Sequence, residues 1–146
     1  VVFHAKVVTG CRCAVGVECV AKRVEISQTA QQGLYAELDR ARLDDDLLKG
    51  VSFACADATE MEEFGYSHVY LFDRVFSHYT LEAIAKVLQR SPFHVMISSK
   101  APALWWGVGL SKVQPVAKMR FVTTGRERCT VYLYINSQFI PGVSCF

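Results

Sequence analysis

The chain has 146 residues, 51% of them hydrophobic, and a formal net charge of +2. That length suits one domain rather than two, with enough apolar material for a core that needs no disulfide or metal staple. The charge is too small and too evenly mixed to argue for nucleic acid by itself, and no apolar stretch approaches a membrane span.

In chain order, "VVFHAKVVTG" reads either as a helix stopped by Gly10 or as a strand. Residues 12–17 read as a buried strand that closes on Glu18. Residues 20–42 read as a long helix, with Val20, Val24, Leu34, Leu38 and Ala41 near one face and Lys22, Arg23, Glu37 and Arg40 towards solvent. "DDD" at 44–46 is a solvated face or loop. "VSFACAD" is a second buried strand with an acidic end, Asp57, and "SHVYLFD" a third that ends at Asp73. "TLEAIAKVLQR" is a helix with Thr80 as its N-cap and Glu82 in its first turn, where the helix dipole favours an acid. "PFHVMIS" is a fourth strand, ending at Ser98 and Ser99. Residues 100–111 read as a loop in which Trp105 and Trp106 serve equally well as a lid, as packing or as a partner contact. Two β-rich runs around "TTGRER" form an antiparallel hairpin.

Strands alternating with helices imply an α/β fold: a mostly parallel, Rossmann-like sheet covered on both faces, here one domain over residues 1–146 with a C-terminal antiparallel hairpin. Ligands on such sheets bind at the carboxyl ends of the strands, where this pattern places Glu18, Asp57 and Asp73. A carboxylate such as Glu18 can accept both hydroxyls of a ribose. An acid after the next strand, Asp57, can accept from the adenine amine while Ala58 packs on the ring. These groups describe an adenosine site. Such a site also needs a first strand and a glycine-rich turn at a helix N-terminus. Neither stands in the sequence. If residues 1–9 are the helix after that turn, the sheet lacks its central strand, and the native protein is expected to be longer at its N-terminus.

Six cysteines (Cys11, Cys13, Cys19, Cys55, Cys129 and Cys145) form no CxxC pair and have no histidine at zinc-ligand spacing, so no metal is expected. They read as reduced, buried thiols of an intracellular protein. His4, His68, His78 and His94 are scattered and read as structural or surface residues. Lys112, Lys118, Arg120, Arg126 and Arg128 make the C-terminal part basic. They read as a solvated face or as a contact to an acidic partner.

Read in order, "VVFHAKVVTGCRCAVGVE", "GVECVAKRVEIS", "ACADATEM", "YLFDRVF", "MISSKAP" and "FVTTGRERCTVYLYIN" resemble the disruptor-of-telomeric-silencing class of non-SET histone lysine methyltransferases over nearly the whole chain. The resemblance implies a class I methyltransferase sheet, S-adenosyl-L-methionine as cofactor, a lysine on the nucleosome core surface as acceptor and a nuclear location. It places Glu18, with Cys19 beside it, on the cofactor ribose and Asp57 and Ala58 on the adenine. It sets Asp73 near the methionine end and the lysine channel, with Phe76, Ser99 and Tyr132 lining that channel. The basic residues then suit nucleosomal DNA or an acidic histone patch. Two departures stand out: Asp73 replaces the family's amide, and the family's hairpin tryptophan falls near Thr123, where no aromatic stands. The alternatives are a methyltransferase of the same fold acting on a small molecule or RNA, and a non-catalytic relative that serves as a binding module. A nicotinamide dehydrogenase fits the closing hairpin less well.

Overall fold

The computed structural model describes residues 1–122 and 128–139. The chain divides into two compact units, Val1–Ala58 and Thr59–Phe146.

The first unit opens with α1 (Val2–Thr9), which settles the open choice at the N-terminus as helix. Gly10 takes φ 64°, and its N–H bonds the Lys6 carbonyl. That left-handed stop suits glycine because it has no Cβ to clash. Next come β1 (Ala14–Glu18), α2 (Ala21–Arg40), a 3-10 turn (Asp45–Leu48) and β2 (Val51–Cys55). β1 and β2 pair in parallel, Ala14 opposite Val51 and Glu18 opposite Cys55. At Gly16 a Cβ would lie 2.7 Å from the Phe53 ring. Glycine there makes room for Phe53 to meet Phe3 edge-on, with ring centroids 5.3 Å apart.

The inner face of α2 differs from the expected one. Val24 is buried and Ser27, Gln31, Tyr35 and Leu38 are half-buried, whereas Leu34, Val20 and Ala41 are exposed. Gln31 holds an inward position because its Nε2 donates to the Val51 carbonyl at 2.9 Å. The three aspartates at 44–46 are exposed and start the 3-10 turn, the Asp44 side chain accepting from the Asp46 N–H. Among the described residues of this unit only Val24, Leu48 and Val51 are buried apolar side chains. β1 is half-buried along its whole length and has β2 as its one strand partner among the described residues.

The second unit carries the larger core. Its elements are β3 (His68–Tyr70), α3 (His78–Arg90), β4 (Val95–Ser98), α4 (Pro102–Gly107), β5 (Val113–Val122) and β6 (Arg128–Asn136). The sheet order is β3-β4-β6-β5. β3 and β4 run parallel, and β6 is antiparallel to both β4 and β5. The last strand therefore inserts between β4 and β5. The expected hairpin is present as the β5–β6 pair, with a bulge between Pro115 and Ala117. Proline is tolerated there because β5 is an edge strand. The hairpin turn with Thr123 and Arg126, and Cys145, lie outside the described residues.

α3 begins three residues earlier than its sequence pattern suggests. Ser77, not Thr80, is the N-cap, and its hydroxyl accepts from the Thr80 N–H at 3.1 Å. The helix buries Leu81, Ile84, Ala85, Val87 and Leu88. Each large aliphatic among them contributes about 1.5–3 kcal/mol by leaving water. Its C-terminal end is held by Lys112, which is almost wholly buried. The Lys112 Nζ donates to the Gln89 and Ser91 carbonyls, both at 2.9 Å, and lies 5.2 Å from the Phe93 ring centroid. Burial lowers the Lys112 pKa, and the two carbonyls at the negative end of the helix favour its charge. Lys112 is thus a structural cation rather than part of a solvated basic face.

The segment read as a loop contains α4, begun by Pro102 in its first turn. Trp105 is fully buried, and the Trp106 indole N–H donates to the Val113 carbonyl at 3.0 Å. Trp105 is therefore core packing and not a lid. The thiols also depart from expectation: Cys13, Cys19 and Cys55 are exposed, Cys11 and Cys129 half-buried, and all five are free. No described helix is long and apolar enough to cross a membrane.

Candidate cofactor and acceptor sites

Glu18 is the last residue of β1, at the carboxyl end of the parallel pair, and about a third of its side chain is exposed. Its Oε1 accepts the Val20 N–H at 3.0 Å and lies 3.6 Å from the Cys19 thiol. Its Oε2 accepts from Arg23 Nη1 at 3.3 Å. The Val20 backbone N–H, with help from Arg23, holds the Glu18 carboxyl below the usual range, so it is ionised at neutral pH. Glu18 pairs across to Cys55, two residues before Asp57. Asp57 is exposed and Ala58 half-buried, both just past the carboxyl end of β2. The first unit thus brings Glu18, Cys19, Asp57 and Ala58 to one end of one sheet. An ionised carboxylate with part of its surface open fits a diol donor, which is what a ribose presents.

The second unit holds Asp73, Phe76, Ser99 and Tyr132. β3 stops at Tyr70, so Asp73 lies on the turn beyond it instead of closing the strand. Asp73, expected near the methionine end and the lysine channel, is fully buried. One carboxylate oxygen accepts both the Ser99 N–H at 2.9 Å and the Ser99 hydroxyl at 2.6 Å; the other accepts the Ser98 hydroxyl. The Ser98 oxygen in turn accepts the Trp105 indole N–H and the Lys100 N–H, each at 2.9 Å. The Tyr134 hydroxyl closes the far side by donating to the Lys100 carbonyl at 2.6 Å. Each buried side-chain nitrogen and oxygen of this cluster has a hydrogen-bond partner, the condition under which buried polar groups are tolerated. Asp73 acts on the Ser98–Ser99–Lys100 turn and reaches Ser99 through it.

Ser98, the residue before Ser99, registers with Tyr132 across β4 and β6. Tyr132 is half-buried, with its ring 6.2 Å from that of Tyr134 and Lys118 Nζ 5.5 Å from its centroid. Phe76 is half-buried on the turn between β3 and α3. Tyr70 carries no sequence signal that marks it as a site residue. It ends β3, is partly exposed, and has a raised pKa, mainly from burial and then from Cys129 and Asp73 nearby. Ser98 is the hub of the cluster. The signal for Ser98 was present: a serine doublet after a buried strand needs a polar partner, and a buried aspartate supplies it. Phe72, Val75 and Tyr79 flank this end of the unit and are strongly exposed.

No protein-family model matches the sequence, and no curated protein does. Among solved structures, the chain is similar to the N-methyltransferase NodS from Bradyrhizobium japonicum WM9, with 11% identity, a TM-score of 0.51, and coverage of 90% of this chain and 77% of that one. The same protein in complex with S-adenosyl-L-homocysteine aligns with a TM-score of 0.43 at 11% identity, over 90% and 70% of the two chains. The first likeness, with the parallel strands and the inserted antiparallel β6, defines the fold as the α/β, Rossmann-like fold of class I methyltransferases.

Proposed function

We propose that this chain is an S-adenosyl-L-methionine-dependent methyltransferase domain whose acceptor is the amine of a lysine on a nucleosomal histone. The observation that carries the cofactor assignment is Glu18, an ionised and part-open carboxylate at the carboxyl end of a parallel strand. Likeness of fold to an N-methyltransferase supports the reaction class. The motif resemblance over nearly the whole chain supports the histone lysine, and it alone supports a nuclear location.

In this reading Glu18 accepts the ribose hydroxyls, Cys19 lies beside them, Asp57 accepts from the adenine amine and Ala58 packs on the ring. The bound cofactor supplies an electrophilic methyl group on a sulfonium. The chain's own part is mostly to position the acceptor. Ser99, held by Asp73, presents its hydroxyl oxygen towards the amine. Phe76 and Tyr132 wall the approach. A lysine has a reference pKa of about 10.4 and must lose its proton before it attacks. Desolvation between aromatic walls disfavours the ammonium and promotes that loss. The exposed Lys118 and Arg120 suit contact with nucleosomal DNA, a contact that weakens steeply with salt.

The test is transfer of a labelled methyl group to nucleosomes, free histones, small amines and RNA. Transfer to nucleosomes in preference to free histones is the expected result. Transfer only to a small amine or RNA replaces the acceptor and keeps the class. No transfer to any of them, with adenosine binding retained, leaves a binding module.

A further inference from the structure

The carboxylate that the proposed function assigns to the ribose is already in use within the chain. Glu18 Oε1 carries the Val20 N–H, and Oε2 carries the Arg23 guanidinium at 3.3 Å. Arg23 is the third residue of α2, and the first turn of that helix contains Lys22 and Arg23 but no acid. Cations at a helix N-terminus are disfavoured by its partial positive charge. Glu18 is the group that offsets this for Arg23. Lys22 instead pairs with Glu25 at 2.9 Å. A ribose diol brings two O–H donors, and Arg23 can only donate; it takes one lone-pair site of Oε2 and draws on the same negative charge, so it weakens Glu18 as an acceptor for the diol.

We propose that Arg23 is an internal competitor for the ribose-binding carboxylate, a positioning residue whose pairing with Glu18 weakens the hold on a nucleoside diol. The Arg23 side chain is 69% exposed, so it has open solvent to move into. An exposed pair of this kind is worth about 0–1 kcal/mol, which limits its effect on affinity to about fivefold. The competition has a distinctive sign. Salt screens the Arg23–Glu18 pair over a Debye length of about 10 Å at 0.1 M. A neutral nucleoside has no charge to be screened. Its binding therefore tightens as salt rises, opposite to the usual behaviour of a charged ligand.

This inference rests on the ribose assignment of Glu18, and the experiment separates the two. Adenosine, neutral and diol-bearing, is titrated to millimolar concentration into the full chain, with the Glu18 side-chain carboxyl observed by carbon-13 NMR at low and at moderate salt. In the wild type adenosine is expected to perturb the Glu18 signal, with affinity rising severalfold between the two salts. In Arg23→Met affinity is expected to rise up to about fivefold at low salt, to lose its salt dependence, and the Glu18 pKa to move up. Equal or weaker adenosine binding by Arg23→Met, with Glu18 still perturbed, overturns the competition and leaves the ribose reading standing. Glu18→Gln that binds adenosine as well as the wild type, or no perturbation of Glu18 in any variant, overturns the ribose reading and this inference with it.

Discussion

Asp73 shows how a single residue's role depends on its hydrogen-bond arithmetic. The Ser98 hydroxyl oxygen already accepts from Trp105 and Lys100, so its one hydrogen must go to Asp73. An asparagine in place of Asp73 would keep one oxygen for Ser99 but set an N–H₂ group against an oxygen whose lone pairs are filled. Asp73→Asn is therefore expected to destabilise the chain by about 1–3 kcal/mol, although it restores the amide of the resembled family. Asp73→Ala, which strands three donors, should cost more, about 3–5 kcal/mol, towards the range for removing one member of a buried charged set. Urea unfolding of the two variants checks this. An asparagine tolerated without loss would mean that Ser98 finds another acceptor. The aspartate itself was legible from the sequence as a polar strand end. Its inward direction was not, because β3 stops at Tyr70, short of it.

At the scale of elements, β6 is clipped to the turn after β4 by one phenol. Tyr134 is fully buried and its hydroxyl donates to the Lys100 carbonyl. Burial pushes its pKa well above the ordinary 10.0. A group whose folded pKa is raised contributes stability that is fully present below the unfolded value and is lost as pH climbs through the folded one. Stability should thus be independent of Tyr134 ionisation below about pH 10 and fall above it. Tyr134→Phe is expected to cost about 1 kcal/mol at neutral pH and to make the alkaline fall shallower. Some slope should persist, since Tyr70 is shifted in the same direction. Chemical unfolding at about pH 8, 10 and 11, spanning the ordinary tyrosine range, measures both effects. An unchanged alkaline slope in the variant would exclude Tyr134 as its source. Elements with strong periodicity were readable in advance: α3 carries an apolar stripe, and β5 and β6 alternate. α4 was not, because a short segment rich in tryptophan and glycine shows no helical period.

For the molecule as a whole, the two units differ in how well they are built. The first buries Val24, Leu48 and Val51 beneath a two-stranded parallel sheet, and two strands alone give marginal stability. The second has a four-stranded sheet and a core that includes Trp105, Phe93, Tyr134, Leu81, Ile84 and Leu88. Amide hydrogen exchange should report this directly. Protection in β1 and β2 is expected to be at least about tenfold lower than in β4 and β6. Equal protection in both would show that the first unit gains stability that its own core does not supply.

The sequence by itself determined the α/β class, the order of the six strands and of α2 and α3 among them, the terminal hairpin and the acid that closes β1. These follow from local signals: hydrophobic period, glycine stops and polar residues that close apolar runs. Tertiary structure alone decided which polar groups face inward. It turned Asp73 into the support of a serine turn, Lys112 into the clamp of a helix end and Trp105 into core, and it set Arg23 on Glu18. Each outcome depends on a partner distant in the chain or in the next turn. Burial of a polar group is decided by whether that partner exists, which no periodicity records.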